Sequence, residues 1–252
     1  MRDIDVWLAF YDEIIDEPLL TQLRQFLSDA ERAQEQRFYF ADDRKRHLVT
    51  RAMVRTVLSR YEAIAPADWV FATNRYGRPE VANLGAASGD LCFNISHTRG
   101  LIALGVARGR ALGIDVENIE TRQASIGVAN RFFSPAETTE LSGLPHERQP
   151  DRFWEYWTFK ESYIKARGMG LSLALDRFSF EYPSERGVRL TIDPQLEDEA
   201  SRWFLWQFRP RREHLLALCA ERLGGELPQI TIRKVVPTVV EEMLNLQPTR
   251  HS

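Results

Sequence analysis

The chain has 252 residues, of which 44% are hydrophobic and 27% charged, and a formal net charge of −3. This is the composition of an ordinary globular protein, long enough to bury a real core as one large domain or two small ones. The slightly negative balance excludes bulk attraction to nucleic acid, so any basic site for an anion must be local.

Met1-Arg2-Asp3-Ile4-Asp5 lacks the basic-then-apolar layout of a signal peptide, and no apolar run is long enough to span a bilayer. The expected compartment is the cytoplasm, with no membrane partner. Val6–Phe10 reads as a strand. Phe26-Leu27-Ser28-Asp29-Ala30-Glu31 then forms a capping box, Ser28 as N-cap and Glu31 three residues on. A helix follows over about 43–60. Arg44, His47, Arg51 and Arg55 make one stripe on it, the pattern of a solvated face. Arg46 shares a different stripe with Val49, Met53 and Val57, and an arginine among apolar neighbours takes a specific anionic partner.

Asn74-Arg75-Tyr76-Gly77-Arg78-Pro79 is a turn, and Gly85–Gly89 reads as a loop. Phe93-Asn94-Ile95 leads into the polar turn Ser96-His97-Thr98-Arg99-Gly100. Leu101–Ala107 and Leu112–Glu117 flank Arg108-Gly109-Arg110 and read as an antiparallel hairpin, with Asp115 opposite Ala103 and Glu117 opposite Leu101. In Gly113-Ile114-Asp115-Val116-Glu117 the alternation sends both carboxylates to one face and Ile114 and Val116 to the other. Two carboxylates so placed suit a divalent cation such as Mg²⁺.

Phe132-Phe133-Ser134-Pro135-Ala136-Glu137 repeats the capping box and adds Pro135 at the first helical position. Glu31 and Glu137 are read as caps only. The helix over about 151–167 carries Trp157, Glu161 and Lys165 at i, i+4 and i+8, with Lys160 and Ile164 alongside, and Gly168 stops it. Charges on such a largely apolar face need each other or a ligand. Leu215–Ala220 echoes Leu101–Ala107. The tail from Pro228 holds a strand-like run and a short helix near Val239–Leu246. Cys92 and Cys219 lie in apolar runs, where buried free thiols are expected.

The echoes recur in the same order at a near-constant offset. The reading is an α+β fold of two similar tandem halves related by a pseudo-two-fold axis, with the active site at their interface. The halves are residues 1–112 and 113–252, with a C-terminal extension from about 228. Such a duplication supplies its own internal interface, so a monomer is expected.

Phe93–His97, Gly113–Glu117 and Trp157–Lys165, in that order, closely resemble the 4'-phosphopantetheinyl transferases of the surfactin-synthetase type. The family signature is a G-[IV]-D-[VI]-E block followed by W-x-x-K-E-x-x-x-K, and both parts are complete here; the likeness runs from about Leu27 to Ala220. It implies transfer of the phosphopantetheine arm of coenzyme A to a serine of an apo acyl or peptidyl carrier protein, releasing 3',5'-ADP. Such carriers serve fatty-acid, polyketide or nonribosomal-peptide synthesis. By the same resemblance Ser96 and His97 are the phosphate-binding pair, Arg46 holds the 3'-phosphate, and Arg78 stands at the lysine of a Y-G-K-P adenine and phosphate loop. Family lysines near the end of the first capped helix are here Glu31 and Gln34, which leaves the 3'-phosphate to Arg46 and His97, with Arg51 beside them.

On this reading Asp115, Glu117 and Glu161 hold Mg²⁺, or Mn²⁺ in its place, across the pyrophosphate. Glu161 is also the candidate base for the serine proton. Lys160 is assigned to the leaving phosphate and Lys165 to the pyrophosphate. Two rival readings are a Mg²⁺-dependent nucleotide pyrophosphatase and a non-catalytic carrier-binding module. The first differs in needing no protein acceptor, and the second in having no use for a charged metal and lysine set.

Overall fold

The computed structural model describes residues 3–85, 90–121, 124, 126–224 and 227–252. The first half contains β1 (Ile4–Ala9), α1 (Glu17–Arg24), α2 (Asp29–Arg37), α3 (Ala41–Leu58), β2 (Phe71–Thr73), β3 (Pro79–Val81), β4 (Leu91–Thr98) and β5 (Leu101–Arg108). The second contains β6 (Leu112–Asn118), α4 (Ile126–Phe132), α5 (Pro135–Gly143), α6 (Gln149–Arg167), β7 (Phe178–Glu181), β8 (Arg189–Ile192), β9 (Trp203–Arg211) and β10 (His214–Glu221). β11 (Ile230–Val236), β12 (Val240–Met243) and β13 (Arg250–His251) complete the chain.

Local chemistry sets the helix ends. Ser28 and Ser134 each accept from the N–H of the glutamate three residues on, at 3.3 Å, and each glutamate accepts from the serine N–H at 2.8 Å. Both capping boxes therefore form as read. Gly168 closes α6 at φ 64°, a left-handed conformation that favours glycine.

The strands make two main sheets, ordered β12-β11-β1-β5-β4 and β13-β9-β10-β6. In each, a hairpin (β4–β5 or β9–β10) pairs antiparallel with the strand that opens its half (β1 or β6). The short hairpins β2–β3 and β7–β8 follow α3 and α6 in the same way. The doubled α+β topology read from the repeats is present.

Strand alternation builds three layers of core. Trp7, Ala9, Ile102, Leu104 and Val106 face α3 through Leu48, Val49, Met53 and Val57. The opposite face of this sheet (Val6, Leu8, Leu101, Ala103) packs on Ile114, Val116, Phe204, Leu216 and Leu218 of the second sheet. The outer face of that second sheet (Leu205, Leu215, Ala217, Cys219) takes Phe159, Tyr163 and Ile164 of α6. The order is helix, sheet, sheet, helix.

Three readings need correction. Leu101–Ala107 and Leu112–Glu117 are not a hairpin, because β5 is a central strand whose two backbone edges are taken by β1 and β4; β6 pairs with β10 instead. The tail holds no helix near 239–246. Its β11 lies parallel to β1, from Ile4 opposite Ile230 to Leu8 opposite Lys234, and β12 extends that sheet. Arg55 is not on a solvated face: it is buried and ion-paired with Glu31 at 2.8 Å. The loop read at Gly85–Gly89 lies mostly outside the described residues. Cys219 is buried, Cys92 half-buried, and both are free. Among the described residues no helix is long and apolar enough to cross a membrane.

Candidate functional site

β4 and β6 lie side by side without sharing a backbone ladder, and side chains of β4 fill the gap. Asn94 Oδ1 accepts from Ile114 N at 2.8 Å, Ser96 Oγ from Val116 N at 3.3 Å, and Thr98 Oγ1 from Asn118 N at 3.0 Å. Every second residue of β4 thus satisfies an N–H on the free edge of β6, where an orphan would be costly. This seam joins the two sheets and brings Ser96 to Asp115. The sequence reading singled out Ser96 but missed Asn94 and Thr98. The signal was there, a polar residue at each alternate position of an otherwise apolar strand.

Gly113 sets the other wall. A Cβ there would fall 2.0 Å from Ser162 O and 2.3 Å from Ala166 N, both backbone atoms of α6, so only glycine lets α6 rest on β6. Gly113, Asp115 and Glu117 share that face. Lys165 on α6 consequently reaches Asp115: its Nζ donates to Asp115 Oδ1 at 2.6 Å and to Ser96 Oγ at 2.9 Å. Ser96 Oγ in turn donates to Asp115 Oδ1 at 2.9 Å. Asp115 is 4% exposed, and its Oδ2 is buried with no hydrogen-bond partner. Glu117 accepts from Thr98 Oγ1 at 3.5 Å. Glu161 completes the group. Burial pushes its carboxyl up to about 7, the Asp115 charge adds to the rise, and Lys165 opposes it.

A second cluster sits on the opposite face of β4. His97 points to the α3 side, exposed at the rim. Incomplete hydration first, then the Arg46 charge, with Lys165 and Arg51 weaker, hold it below the usual histidine pKa. Arg46 donates to Asp43 Oδ1 at 2.7 Å. Arg51 Nε has no hydrogen-bond partner and lies 3.9 Å from Glu31 Oε1. Adjacent residues of one strand therefore serve two places: Ser96 the carboxylates, His97 a group of cations suited to an anion.

Two predicted residues lie elsewhere. Lys160 is 0% exposed and points away from Glu161; its Nζ pairs with Glu137 at 2.8 Å and donates to Leu175 O and Phe178 O, each at 2.8 Å. No donor is left over for a phosphate, so its assignment to the leaving group is corrected. Glu137 correspondingly does more than cap. Arg78 also turns inward: Nη1 donates to Lys165 O and Ala166 O, Nη2 to Phe93 O and Leu112 O. It holds protein carbonyls and is not among the cations acting on His97.

The unpartnered Asp115 Oδ2, the raised Glu161 and the oxygen-only chemistry fit a hard divalent ion. Among the described residues, however, no three carboxylate, imidazole or thiol groups already converge at ligating distance. In their place the Lys165 ammonium balances Asp115. A recess of about 730 Å³ opens beside the site, lined in part by Asp12, Asp42, Asp43, Arg99, Asn118 and Glu213. Its acidic wall makes it a poor phosphate site.

Residues 111–219 match the model of the 4'-phosphopantetheinyl transferase superfamily, and residues 16–108 match a 4'-phosphopantetheinyl transferase N-terminal model. The chain is 32% identical over 217 residues to the 4'-phosphopantetheinyl transferase Sfp of Bacillus subtilis, covering 84% of this chain and 92% of that one. It is 35% identical over 170 residues to the 4'-phosphopantetheinyl transferase HetI of Nostoc, covering 68% and 70%. The solved Thermotoga maritima holo-[acyl-carrier-protein] synthase aligns with a TM-score of 0.37 and 17% identity, over 55% of this chain and 84% of that one.

Proposed function

Given that the chain belongs to the 4'-phosphopantetheinyl transferases and transfers phosphopantetheine to carrier proteins, we propose that the β4–β6–α6 cluster is its catalytic centre. Coenzyme A is the donor. The single observation carrying this reading is the Asp115 carboxylate, one oxygen held by Lys165 and Ser96 and the other buried without a partner, next to a glutamate raised to about 7.

Lys165 and Ser96 receive the pyrophosphate, and Arg46, Arg51 and His97 the 3'-phosphate. A divalent cation held by Asp115, Glu117 and Glu161 would supply charge neutralisation and Lewis acidity at the pyrophosphate. The carrier serine oxygen forms a bond to the β-phosphorus, the bond from that phosphorus to the 3',5'-ADP oxygen breaks, and the serine proton goes to Glu161. Without a cation this carboxyl lies near 7, a stronger base than an ordinary glutamate; a cation held there would lower it, so the roles of base and ligand compete at Glu161. Lys165 balances the charge that gathers on the departing phosphate. The half spanning 1–112 then mainly supplies donor contacts, and the half spanning 113–252 the carboxylates and Lys165.

The chain acts as a monomer, because each sheet covers the inner face of the other. The purified protein, incubated with labelled coenzyme A and a panel of apo acyl and peptidyl carriers, should label the carrier serine and lose activity with EDTA until Mg²⁺ is restored. Undiminished transfer in EDTA would remove the cation from this reading. Phosphopantetheine released without any carrier would favour a hydrolase.

A further inference from the structure

We propose that Arg78 is a positioning residue of the transfer reaction: it fastens the carboxyl end of α6 to both sheets and thereby fixes where Lys165 stands. The inference rests on the reading of Lys165 as a pyrophosphate contact.

The last carbonyls of a helix have no partners within it, and a cation there also complements the helix dipole. Arg78 supplies both. Nη1 donates to Lys165 O at 3.0 Å and Ala166 O at 3.3 Å. Nη2 reaches Phe93 O on β4 at 3.4 Å and Leu112 O on β6 at 3.2 Å. One guanidinium therefore ties the helix bearing Lys165 to the strand bearing Ser96 and the strand bearing Asp115, the three residues whose side chains meet at Asp115 Oδ1.

The turn that delivers Arg78 is built for this contact. Asn74 Oδ1 accepts from Tyr76 N at 2.9 Å and Arg78 N at 3.1 Å, which shapes the loop, while Asn74 Nδ2 donates to Gly168 O at 3.0 Å. On the α6 side, a Cβ at Gly168 would come within 3.3 Å of Arg78 Cδ and Nη1, and one at Gly170 within 3.3 Å of Tyr76 O. The two glycines let the loop of one half seat against the helix end of the other. A lysine, as the related Y-G-K-P loop carries at this position, would hold this seat less completely. Its donors radiate from a single nitrogen, whereas the two arms of the planar guanidinium serve carbonyls on two sides.

The test is steady-state kinetics of Arg78→Lys and Asn74→Ala, with Lys165→Ala as the reference, for coenzyme A and dephospho-coenzyme A. A displaced Lys165 lowers kcat by about tenfold or more, since small misplacements of a reacting partner are expensive. Because both substrates carry the pyrophosphate, any rise in KM is shared by coenzyme A and dephospho-coenzyme A, and their ratio is unchanged. Hydrogen exchange at the last turn of α6 should quicken in both variants while Tm moves little, which separates loss of position from loss of fold. A raised KM with unaltered kcat in Arg78→Lys makes Arg78 a substrate contact and overturns the proposal. So does faster exchange with wild-type kcat. If Lys165→Ala itself leaves kcat unchanged, the reading of Lys165 fails and this inference falls with it; if Lys165→Ala is crippled and Arg78→Lys is not, only this inference fails.

Discussion

The two halves of the chain use one framework for different ends, and laying them side by side separates scaffold from chemistry. In the first half the capping-box glutamate Glu31 holds Arg55 of the long helix, whose guanidinium also donates to Pro66 O and Trp69 O and lies 5.3 Å from the Phe71 ring. In the second half the capping-box glutamate Glu137 holds Lys160 of the long helix, which also donates to Leu175 O and Phe178 O and lies 4.4 Å from the Phe178 ring. Phe71 and Phe178 each open the short hairpin after that helix. Arg55 and Lys160 are the same part in two copies. The lysine of the W-x-x-K-E block is therefore placed as framework, and on the proposed reading its neighbour Glu161 carries the chemistry.

The halves diverge on the face that meets the long helix. β1 turns Trp7 and Ala9 into an apolar core there, while β6 turns Asp115 and Glu117 to the same place under α6. One half holds apolar packing at this place and the other a polar cluster.

The sharpest way to break this comparison is Lys160→Met. Removing one member of a buried pair leaves Glu137 uncompensated, at a cost of about 3–5 kcal/mol. Arg55→Met should cost less, because Glu31 is partly exposed and has Arg51 nearby. Urea denaturation of both variants, and of Lys160→Met with Glu137→Gln, should show Lys160 as the larger loss and partial recovery in the double mutant. A stable Lys160→Met that has lost activity would return Lys160 to the chemistry.

Much of this was legible in the sequence because it is local. Capping boxes, the Gly168 stop and the alternation that pairs Asp115 with Glu117 depend on residues within one turn or one strand. The direction of Lys160 was not, because α6 is apolar on most sides: Phe153, Trp154, Tyr156, Phe159, Tyr163 and Ile164 are all buried, so its period marks no single polar face. The internal repeat held part of the clue, since the capping-box offset that carries Glu31 onto Glu137 brings Arg55 to within one residue of Lys160. The β5–β6 hairpin was misread because sequence adjacency favours it, and nothing local reveals that β1 already occupies that edge of β5. The inward turn of Arg78 depends on contacts across the two halves, which no local pattern carries.

Next in size is Glu161→Gln, which keeps the shape but removes charge and basicity. kcat should fall by about a hundredfold or more if Glu161 is the base, with Mg²⁺ and coenzyme A still binding; a fall in apparent Mg²⁺ affinity, partly rescued by excess Mg²⁺, marks it as a ligand. Calorimetry beside a Mg²⁺ titration of the rate distinguishes these. Wild-type rate and affinity together would show that α6 does not carry the chemistry.

Arg46→Ala probes the contribution of the first half. A charge-assisted phosphate contact is worth roughly 1.5–3 kcal/mol, so KM for coenzyme A should rise about tenfold to a hundredfold. Dephospho-coenzyme A should be little affected. Equal losses on both would mean that Arg46 does not read the 3'-phosphate and that the α3 cluster is scaffold after all.

The smallest expected effect is the pH dependence of stability that Glu161 contributes in the second half. Glu161 titrates near 7 in the fold against an ordinary value of 4.5. Between those values the folded protein binds more protons at this site than the unfolded chain does, so stability falls as pH rises. The contribution is intact below about 4.5 and gone once pH has passed through about 7. Nothing in the first half copies this, since Thr56, one helical turn before Arg60 as Glu161 is before Lys165, cannot titrate; His47 and His97, both held below the ordinary histidine value, act in the opposite sense but do so equally in wild type and Glu161→Gln. Urea midpoints measured in EDTA from pH 4.5 to 8 should therefore decline more steeply in the wild type than in Glu161→Gln. Mg²⁺ added at pH 8 should stabilise the wild type more than Glu161→Gln, because a cation favours the ionised carboxylate. Parallel pH curves for the two proteins would mean that neither burial nor the Asp115 charge raises the Glu161 carboxyl. The distinction between a chemical half and a structural half would then rest on Lys165 alone.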